Sequence, residues 1–340
     1  MTASIIWIDG QSHYTNVLHK WVAKSTVAPT VGAYGKFGNG LLFTANNGCF
    51  VDAGLFTPQQ DWSFGFFLKI PSLTNVSGLF LLYDNVGSVT HLSSFVTSSG
   101  QIVVRLGDGG GTTIATSGTN YLSADTWYYI EFKLRIDDSV GYVRCRINGT
   151  SEWITLTGAD TRNGGTTNAD YFRWGYTSGG VSDYTDHWMS DIWIQNGTDA
   201  DYLGIRRVIT DFPSGAGTNS AWTPSTGSNY ACVDETPPDT ADYVTSKDTS
   251  KKDTYAFPAL EEPVGVINAV ALTLHAKKDD VNPRSLGGLL LLSGTELLSS
   301  GSALTTSYVP YQKIFPLAPG GTAWDVTKVN ACECGEQLTV

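Results

Sequence analysis

The sequence has few charged residues and little positive charge. Only 16% of its 340 residues are Asp, Glu, Lys or Arg, and the formal net charge at pH 7 is -11. Basic residues never form a run longer than a pair, and one such pair, Lys251 and Lys252, stands among acidic neighbours. Proteins that bind nucleic acid normally carry a basic patch. We therefore expect no nucleic-acid partner.

Long apolar runs are also missing. The longest one, residues 286–292, is interrupted by glycine and is far too short to span a bilayer. The N-terminus lacks the basic stretch and the following apolar stretch of a signal peptide. We expect no membrane association, and synthesis in a cytoplasm from which the protein reaches any exterior by assembly or lysis.

The cysteines do not form a disulfide pattern, because their number is odd and their spacing irregular. They are Cys49, Cys145, Cys232, Cys332 and Cys334. Cys145 lies on the apolar side of an alternating segment and is predicted to be buried. Cys332 and Cys334 lack the two-residue gap and the second cysteine pair of a zinc site, and we expect neither a shared metal nor a mutual disulfide.

Strand patterns fill most of the chain. Apolar residues alternate with polar ones over residues 128–136 and again over 142–147, which indicates strands with one buried face. Asn148 and Gly149 follow directly, and this pair between two alternating segments predicts a tight hairpin turn. Further strand-like segments are residues 64–70, 79–83, 102–106, 171–176, 188–194, 270–276, 286–292 and 307–315. The predicted fold class is therefore all-β.

Helix signals are scarce, and composition divides the chain. Residues 14–23 and 199–207 could each form one short helix. Many short strands with close turns favour β-sandwiches. We predict a sandwich over residues 1–212, a linker or extended arm rich in Ser, Thr, Gly and Pro over 213–253, and a smaller C-terminal sandwich over 254–340.

The first predicted domain resembles the laminin-G-like and concanavalin-like sandwich family, whose fold is a jelly roll. The resemblance rests on the order and spacing of four stretches, residues 35–43, 61–69, 126–132 and 191–194. It implies two stacked antiparallel sheets. Domains of this kind often bind calcium through loop carboxylates, as suits a hard cation. Asp108, Asp160, Asp183 and Asp186 lie in predicted loops, but aspartate is also a common turn residue. We favour turns and expect no cofactor, with calcium as the alternative.

A second resemblance is to structural proteins of tailed phages. It rests on residues 8–14, 129–133, 217–224, 229–235 and 321–326. It implies a protein on the exterior of a virion, as a capsid decoration or a tail component, that acts by contact and is not an enzyme. The expected partners are other virion proteins and further copies of the same chain, and the expected location is the virion.

Two alternatives remain. The first is an adhesin that binds glycans of a host surface, because aromatic faces stack on sugars. Aromatic residues are dense in one half of this domain, and most of them are expected in the core: Trp127, Tyr171, Trp174, Tyr176, Tyr184, Trp188 and Trp193. Of these, Tyr176, Tyr184 and Trp188 flank a predicted loop and are the candidate contact residues. The second is a glycoside hydrolase, which needs two opposed carboxylates. Adjacent pairs such as Asp137 and Asp138 diverge in an extended chain, so the hydrolase is the less favoured alternative.

Overall fold

The computed structural model describes residues 3–45, 48–84, 88–175, 185–198, 200–260 and 265–340. The chain forms two compact units, Met1–Val208 and Ile209–Val340. The sequence analysis placed the end of the first domain at residue 212, four residues beyond this boundary. In the part that is described, no helix is long and apolar enough to cross a membrane.

The first unit consists of strands. They are β1 (Ser4–Asp9), β2 (Ala23–Lys24), β3 (Thr30–Gly32), β4 (Gly40–Phe43), β5 (Phe50–Gln59), β6 (Asp61–Lys69), β7 (Ser77–Asp84), β8 (Val89–Val96), β9 (Ile102–Leu106), β10 (Thr112–Thr116), β11 (Trp127–Arg135), β12 (Gly141–Ile147), β13 (Ser151–Ala159), β14 (Ala169–Gly175) and β15 (His187–Asn196). Of the helix predicted over residues 14–23, only the 3-10 turn Val17–His19 forms.

These strands build two antiparallel sheets. The eight-stranded sheet has the order β13-β12-β11-β6-β15-β4-β3, with β1 paired to β15 beside β4. The seven-stranded sheet has the order β10-β9-β8-β7-β14-β5-β2. The predicted all-β sandwich is confirmed.

Aromatic side chains fill the space between the two sheets. Phe64 of β6 lies 4.8 Å from Phe80 of β7 and 5.0 Å from Phe172 of β14, measured between ring centroids. Both contacts are edge-to-face, the arrangement that aromatic rings prefer. Cys145 is fully buried in the same core, as predicted from the alternation of β12. The core therefore takes one face of each sheet and leaves the other face for loops, solvent or ligands.

The hairpin predicted at Asn148 and Gly149 is confirmed. β12 ends at Ile147, β13 begins at Ser151, and the two turn residues have φ values of 52° and 71°. Asn148 also accepts a hydrogen bond at 2.9 Å from the Tyr129 backbone N–H through its side-chain oxygen. The turn thus joins β11 to the hairpin as well as closing it.

The second unit is also β-structure. Its strands are β16 (Gly215–Ser220), β17 (Thr223–Pro224), β18 (Val244–Thr245), β19 (Lys252–Ala256), β20 (Val270–Ala276), β21 (Ser285–Leu292), β22 (Thr295–Leu298), β23 (Ser302–Ala303), β24 (Val309–Phe315) and β25 (Glu333–Leu338). A 3-10 helix spans Asn229–Cys232 and α1 spans Val326–Ala331. The main sheet has the order β16-β19-β25-β21-β22, with β23 on β21, and β20 pairs with β24.

Cys332 and Cys334 lie where α1 is followed by β25. Cys332 ends α1, and Cys334 lies in β25. The two thiols interact with each other, and this contact lowers the pKa of Cys332 and raises that of Cys334. Both cysteines are free and lie at the core of the second unit.

Candidate functional site

The outer face of the eight-stranded sheet carries the candidate site. Residues paired across neighbouring strands point to the same face, so the registers of β11, β6 and β15 arrange the outward side chains in rows. The uppermost row consists of Trp127, Lys69 and Trp188. Below it, the next rows are Tyr129, Phe67 and Ser190, then Glu131, Gly65 and Trp193, then Lys133, Ser63 and Gln195.

The uppermost row, which we call the tryptophan row, sets two indole rings beside one ammonium group. The ring centroids of Trp127 and Trp188 are 6.2 Å apart, with the ring planes inclined at 48°. The Lys69 Nζ lies 4.6 Å from the centroid of Trp188, a cation–π contact. Both indoles are half-buried, so part of each ring faces outward. A ligand that stacks on aromatic rings has a platform here.

Two further aromatic residues extend the platform. Tyr34 lies 5.9 Å from Trp188 between ring centroids, inclined at 45°. Phe37, with 48% of its surface exposed, packs edge-on against Phe67 at 5.3 Å. Both precede β4 in the segment after β3, which thereby borders the tryptophan row on one side. The distances between the centroids of these neighbouring aromatic rings are similar to the width of one sugar ring.

An ion pair lies at the centre of the tryptophan row. The Lys69 Nζ is 2.5 Å from Asp125 Oδ1, and the two side chains differ sharply in exposure, at 16% and 72%. Asp125 stands in a tight turn with a φ of 54°. Its backbone N–H donates to the Ile70 carbonyl at 2.8 Å, which fixes the turn to the end of β6.

The lower rows are covered by residues 200–208, which we call the strap. The sequence analysis predicted a helix over 199–207; this prediction is wrong for the described residues 200–207, which form no helix. The Asp201 carbonyl accepts a hydrogen bond at 2.9 Å from Ser63, and its carboxylate pairs with Lys133 at 3.1 Å. Tyr202 donates to Glu152 at 3.0 Å. Hydrogen bonds and an ion pair to the sheet thus take the place of the backbone hydrogen bonds that a helix would form.

Glu131 anchors the middle of the strap. This carboxylate is fully buried; Oε2 accepts bonds of 2.9 and 2.7 Å from Arg146, and Oε1 accepts the Gly204 N–H at 2.7 Å. Burial raises the pKa of Glu131, although Arg146 acts in the opposite direction. The Arg146 guanidinium also lies 4.2 Å from the centroid of the Tyr202 ring. These donors occupy the carboxylate from two sides, so we assign it a structural role.

Asp191 anchors the end of the strap in the same manner. Its carboxylate accepts the Val208 N–H at 2.8 Å and the Ser190 hydroxyl at 2.8 Å. Burial raises the pKa of Asp191. The Trp193 indole lies over Gly65, where an added Cβ would come within 2.6 Å of its Nε1. Both carboxylates are buried and bonded to protein donors, so they do not form the open acid pair that a glycoside hydrolase uses.

Of the three predicted contact residues, Trp188 lies in the tryptophan row. Tyr176 and Tyr184 lie outside the described residues. Sequence reasoning grouped Trp127 with Trp188 only as part of an aromatic-rich region, and it missed Lys69 and Tyr34. The pairing of β11, β6 and β15 brings these residues together, and no local pattern in the sequence encodes that pairing.

Two of the four loop carboxylates considered for calcium bond to the backbone of their own turns. Asp108 accepts the Gly110 N–H at 2.9 Å, and Asp160 accepts the Arg162 N–H at 3.0 Å, both two residues ahead. Asp186 accepts the Ala45 N–H at 2.5 Å, and Asp183 lies outside the described residues. Within the described ranges, no three His, Cys, Asp or Glu side chains come together as metal ligands would. The calcium site stays a prediction.

Comparisons with known proteins give a fold likeness at low identity. No protein-family model matches the chain, and no curated protein matches it. Alginate lyase vAL-1 from Chlorella virus is similar over 57% of this chain and 100% of its own, with 11% identity and a TM-score of 0.41. The sialidase of Trypanosoma rangeli is similar over 56% of this chain and 30% of its own, with 15% identity and a TM-score of 0.36. Alginate lyase Aly36B covers 46% of this chain and 81% of its own, with 10% identity and a TM-score of 0.34.

These comparisons correct two predictions of the sequence analysis. A structural protein of a phage exterior and the absence of enzymatic activity were predicted, whereas the similar solved structures are carbohydrate-active enzymes. Both predictions are wrong by this finding. The likeness assigns no residue of this chain a role. The location of the protein and its oligomeric state stay predictions.

Proposed function

We propose that the first unit binds carbohydrate on the tryptophan row. One observation carries the proposal: the registers of β11, β6 and β15 set Trp127, Lys69 and Trp188 side by side on the outer face of the sheet. The two indoles are only half-buried, whereas many other aromatic rings of the first unit lie in its core. Binding of a glycan precedes any reaction on it, so the proposal applies to a lectin-like and to an enzymatic role alike.

The surroundings of the row suit a sugar. A pyranose ring presents an apolar face to an aromatic ring and hydroxyl groups at its edge, so a sugar site needs stacking surface together with hydrogen-bonding groups. Lys69 supplies donors in the middle of the row, and the exposed Asp125 carboxylate supplies acceptors beside it. Tyr34 and Trp127 flank Trp188 on either side. The row is therefore long enough to contact more than one sugar residue.

Replacing Trp188 by alanine is expected to weaken glycan binding about tenfold or more, because a stacked tryptophan typically dominates the affinity of such a site. A glycan array identifies a ligand for the full-length protein, and isothermal titration calorimetry then compares the affinities. Trp127→Ala should weaken binding in the same direction.

The matched control is Trp222→Ala, which removes a half-buried tryptophan of the second unit and should leave the affinity unchanged. Circular dichroism and thermal unfolding verify that each variant is folded. The proposal fails if the parent protein shows no saturable glycan binding, or if folded Trp188→Ala binds the ligand as the parent does.

A further inference from the structure

We infer that the tryptophan row prefers sugars that carry a carboxylate, and that Asp125 holds the place of this carboxylate in the free protein. The inference rests on the proposed function and names the class of glycan for the same site. It depends on the charge of Lys69, on the exposure of Asp125 and on the positive groups around the row.

Lys69 is the reason to expect an acidic ligand. Its ammonium group lies over the Trp188 ring and its side chain is only 16% exposed, so neighbouring rings displace much of its water. A partly desolvated ammonium needs a negative or strongly polar partner to replace the lost hydration. A neutral sugar offers hydroxyl groups, whereas a uronic acid offers a carboxylate of full charge. A sugar stacked on Trp188 places its substituents next to this ammonium group.

Asp125 is a partner that can be exchanged. Its side chain is 72% exposed, and an ion pair with so exposed a carboxylate contributes little free energy because water screens it. The turn is held by its backbone bond to Ile70, so the side chain can swing away while the backbone stays in place. A ligand carboxylate that replaces Asp125 on Lys69 adds the stacking of its sugar ring on Trp188. This addition favours the exchange.

Further positive groups border the row, although the chain as a whole has a net charge of -11. The Lys36 backbone N–H donates to Ser190 at 3.1 Å, which places this exposed lysine beside the second row. The Arg207 guanidinium lies 4.8 Å from the Phe37 ring centroid, and Phe37 packs on Phe67 of the same row. Lys36 and Arg207 thus add two cations near Lys69, and cations beside a site attract anionic ligands.

The test uses carboxylated oligosaccharides of several backbones, each beside its carboxyl-reduced counterpart, titrated into the full-length protein by calorimetry. The acidic form should bind about tenfold tighter or more at low ionic strength, since pairs of opposite charge in a partly dry site are strong. The preference should shrink as salt is added. Lys69→Met keeps the aliphatic stem and should abolish the preference, so that the acidic form no longer binds tighter than the reduced form.

Asp125→Asn should bind the acidic form a few-fold tighter, about what an exposed ion pair is worth, and should increase the preference for the acidic over the reduced form. The matched control is Lys133→Met, which breaks the Lys133–Asp201 pair of the same face away from the tryptophans and should keep the preference. Equal binding of acidic and reduced forms by the parent overturns the inference, as does a preference that survives in Lys69→Met. Absence of binding to any glycan overturns the proposed function instead, so the two failures are distinct.

Discussion

Arg146→Met is expected to lower the free energy of unfolding of the first unit by about 3–5 kcal/mol, because it leaves a buried carboxylate without its ionic partner. Glu131 is fully buried and receives two hydrogen bonds from Arg146. Without the guanidinium, the Gly204 N–H remains as a donor to this carboxylate. The variant also loses the contact between Arg146 and Tyr202, so the strap should loosen.

The loss of stability should depend on pH. Burial already raises the pKa of Glu131 above its ordinary value of 4.5, and removal of Arg146 raises it further. Below pH 4.5 the carboxyl group is protonated in both the folded and the unfolded state, so only hydrogen bonds and packing are lost there. As the pH rises above 4.5, the Glu131 carboxyl group ionises in the unfolded state but stays protonated in the folded state. The folded state of the variant therefore loses stability as the pH rises.

Denaturant unfolding of the full chain at pH 4 and pH 7 measures this effect. Hydrogen exchange of the backbone amides of β11 and β12 reports on the first unit specifically. Arg144→Met is the matched control: Arg144 lies two residues away on the same strand and face, is 43% exposed and pairs with Glu152 at 3.7 Å. Arg144→Met should lower the free energy of unfolding by less than about 1 kcal/mol. The double variant Glu131→Gln/Arg146→Met should recover part of the loss. An Arg146→Met variant as stable as Arg144→Met would refute the assigned anchor role.

Glu336→Gln is expected to remove a pH dependence of the second unit that amounts to about 3–5 kcal/mol between pH 4.5 and pH 8, at roughly 1.4 kcal/mol per pH unit. Glu336 is 5% exposed, and burial raises its pKa to about 8. The Tyr255 hydroxyl donates to it at 2.5 Å and acts in the opposite direction. Asp253, its cross-strand partner on β19, adds negative charge and raises the pKa.

The sign follows from the raised pKa. Below pH 4.5 Glu336 is protonated in both states, and the second unit has its full stability. Between pH 4.5 and pH 8 the unfolded chain loses this proton and the folded chain keeps it, so stability falls as the pH rises. A glutamine at this position can accept the Tyr255 hydroxyl and donate to Asp253, and it carries no titratable proton.

Amide hydrogen exchange of β19, β21 and β25 in the full chain, measured from pH 5 to pH 8 and corrected for intrinsic rates, follows the stability of the second unit. The parent should lose protection with rising pH, and Glu336→Gln should not. Glu296→Gln is the control, because Glu296 forms an exposed pair with Lys252 and should leave the parent's slope unchanged. Parallel slopes for the parent and Glu336→Gln would show that this carboxyl group does not keep its proton.

The strands of this protein could be predicted from the sequence and the site only in part. Alternation and the turn residues Asn148 and Gly149 are local features, so the β12–β13 hairpin follows from them directly. Trp188 was selected because aromatic residues are dense around it. Lys69 was not selected, because its importance comes from β6 lying between β11 and β15, and strand pairing over long sequence distances leaves no periodic signal.

The strap is a segment for which the local sequence predicts the wrong secondary structure. Residues 199–207 have a composition compatible with a helix, but the buried carboxylates of Glu131 and Asp191 accept the Gly204 and Val208 N–H groups instead. Tertiary contacts thus override a weak local preference.

The tryptophan row also bears on how the protein acquires its function during folding. Trp127, Lys69 and Trp188 come from strands far apart in the chain, and closing such long loops slows folding. Because β15 is the last strand of the first unit, a nascent chain that still lacks it has only two of the three residues. A ribosome-bound chain should therefore gain affinity for sugar abruptly, once β15 has emerged and docked beside β6.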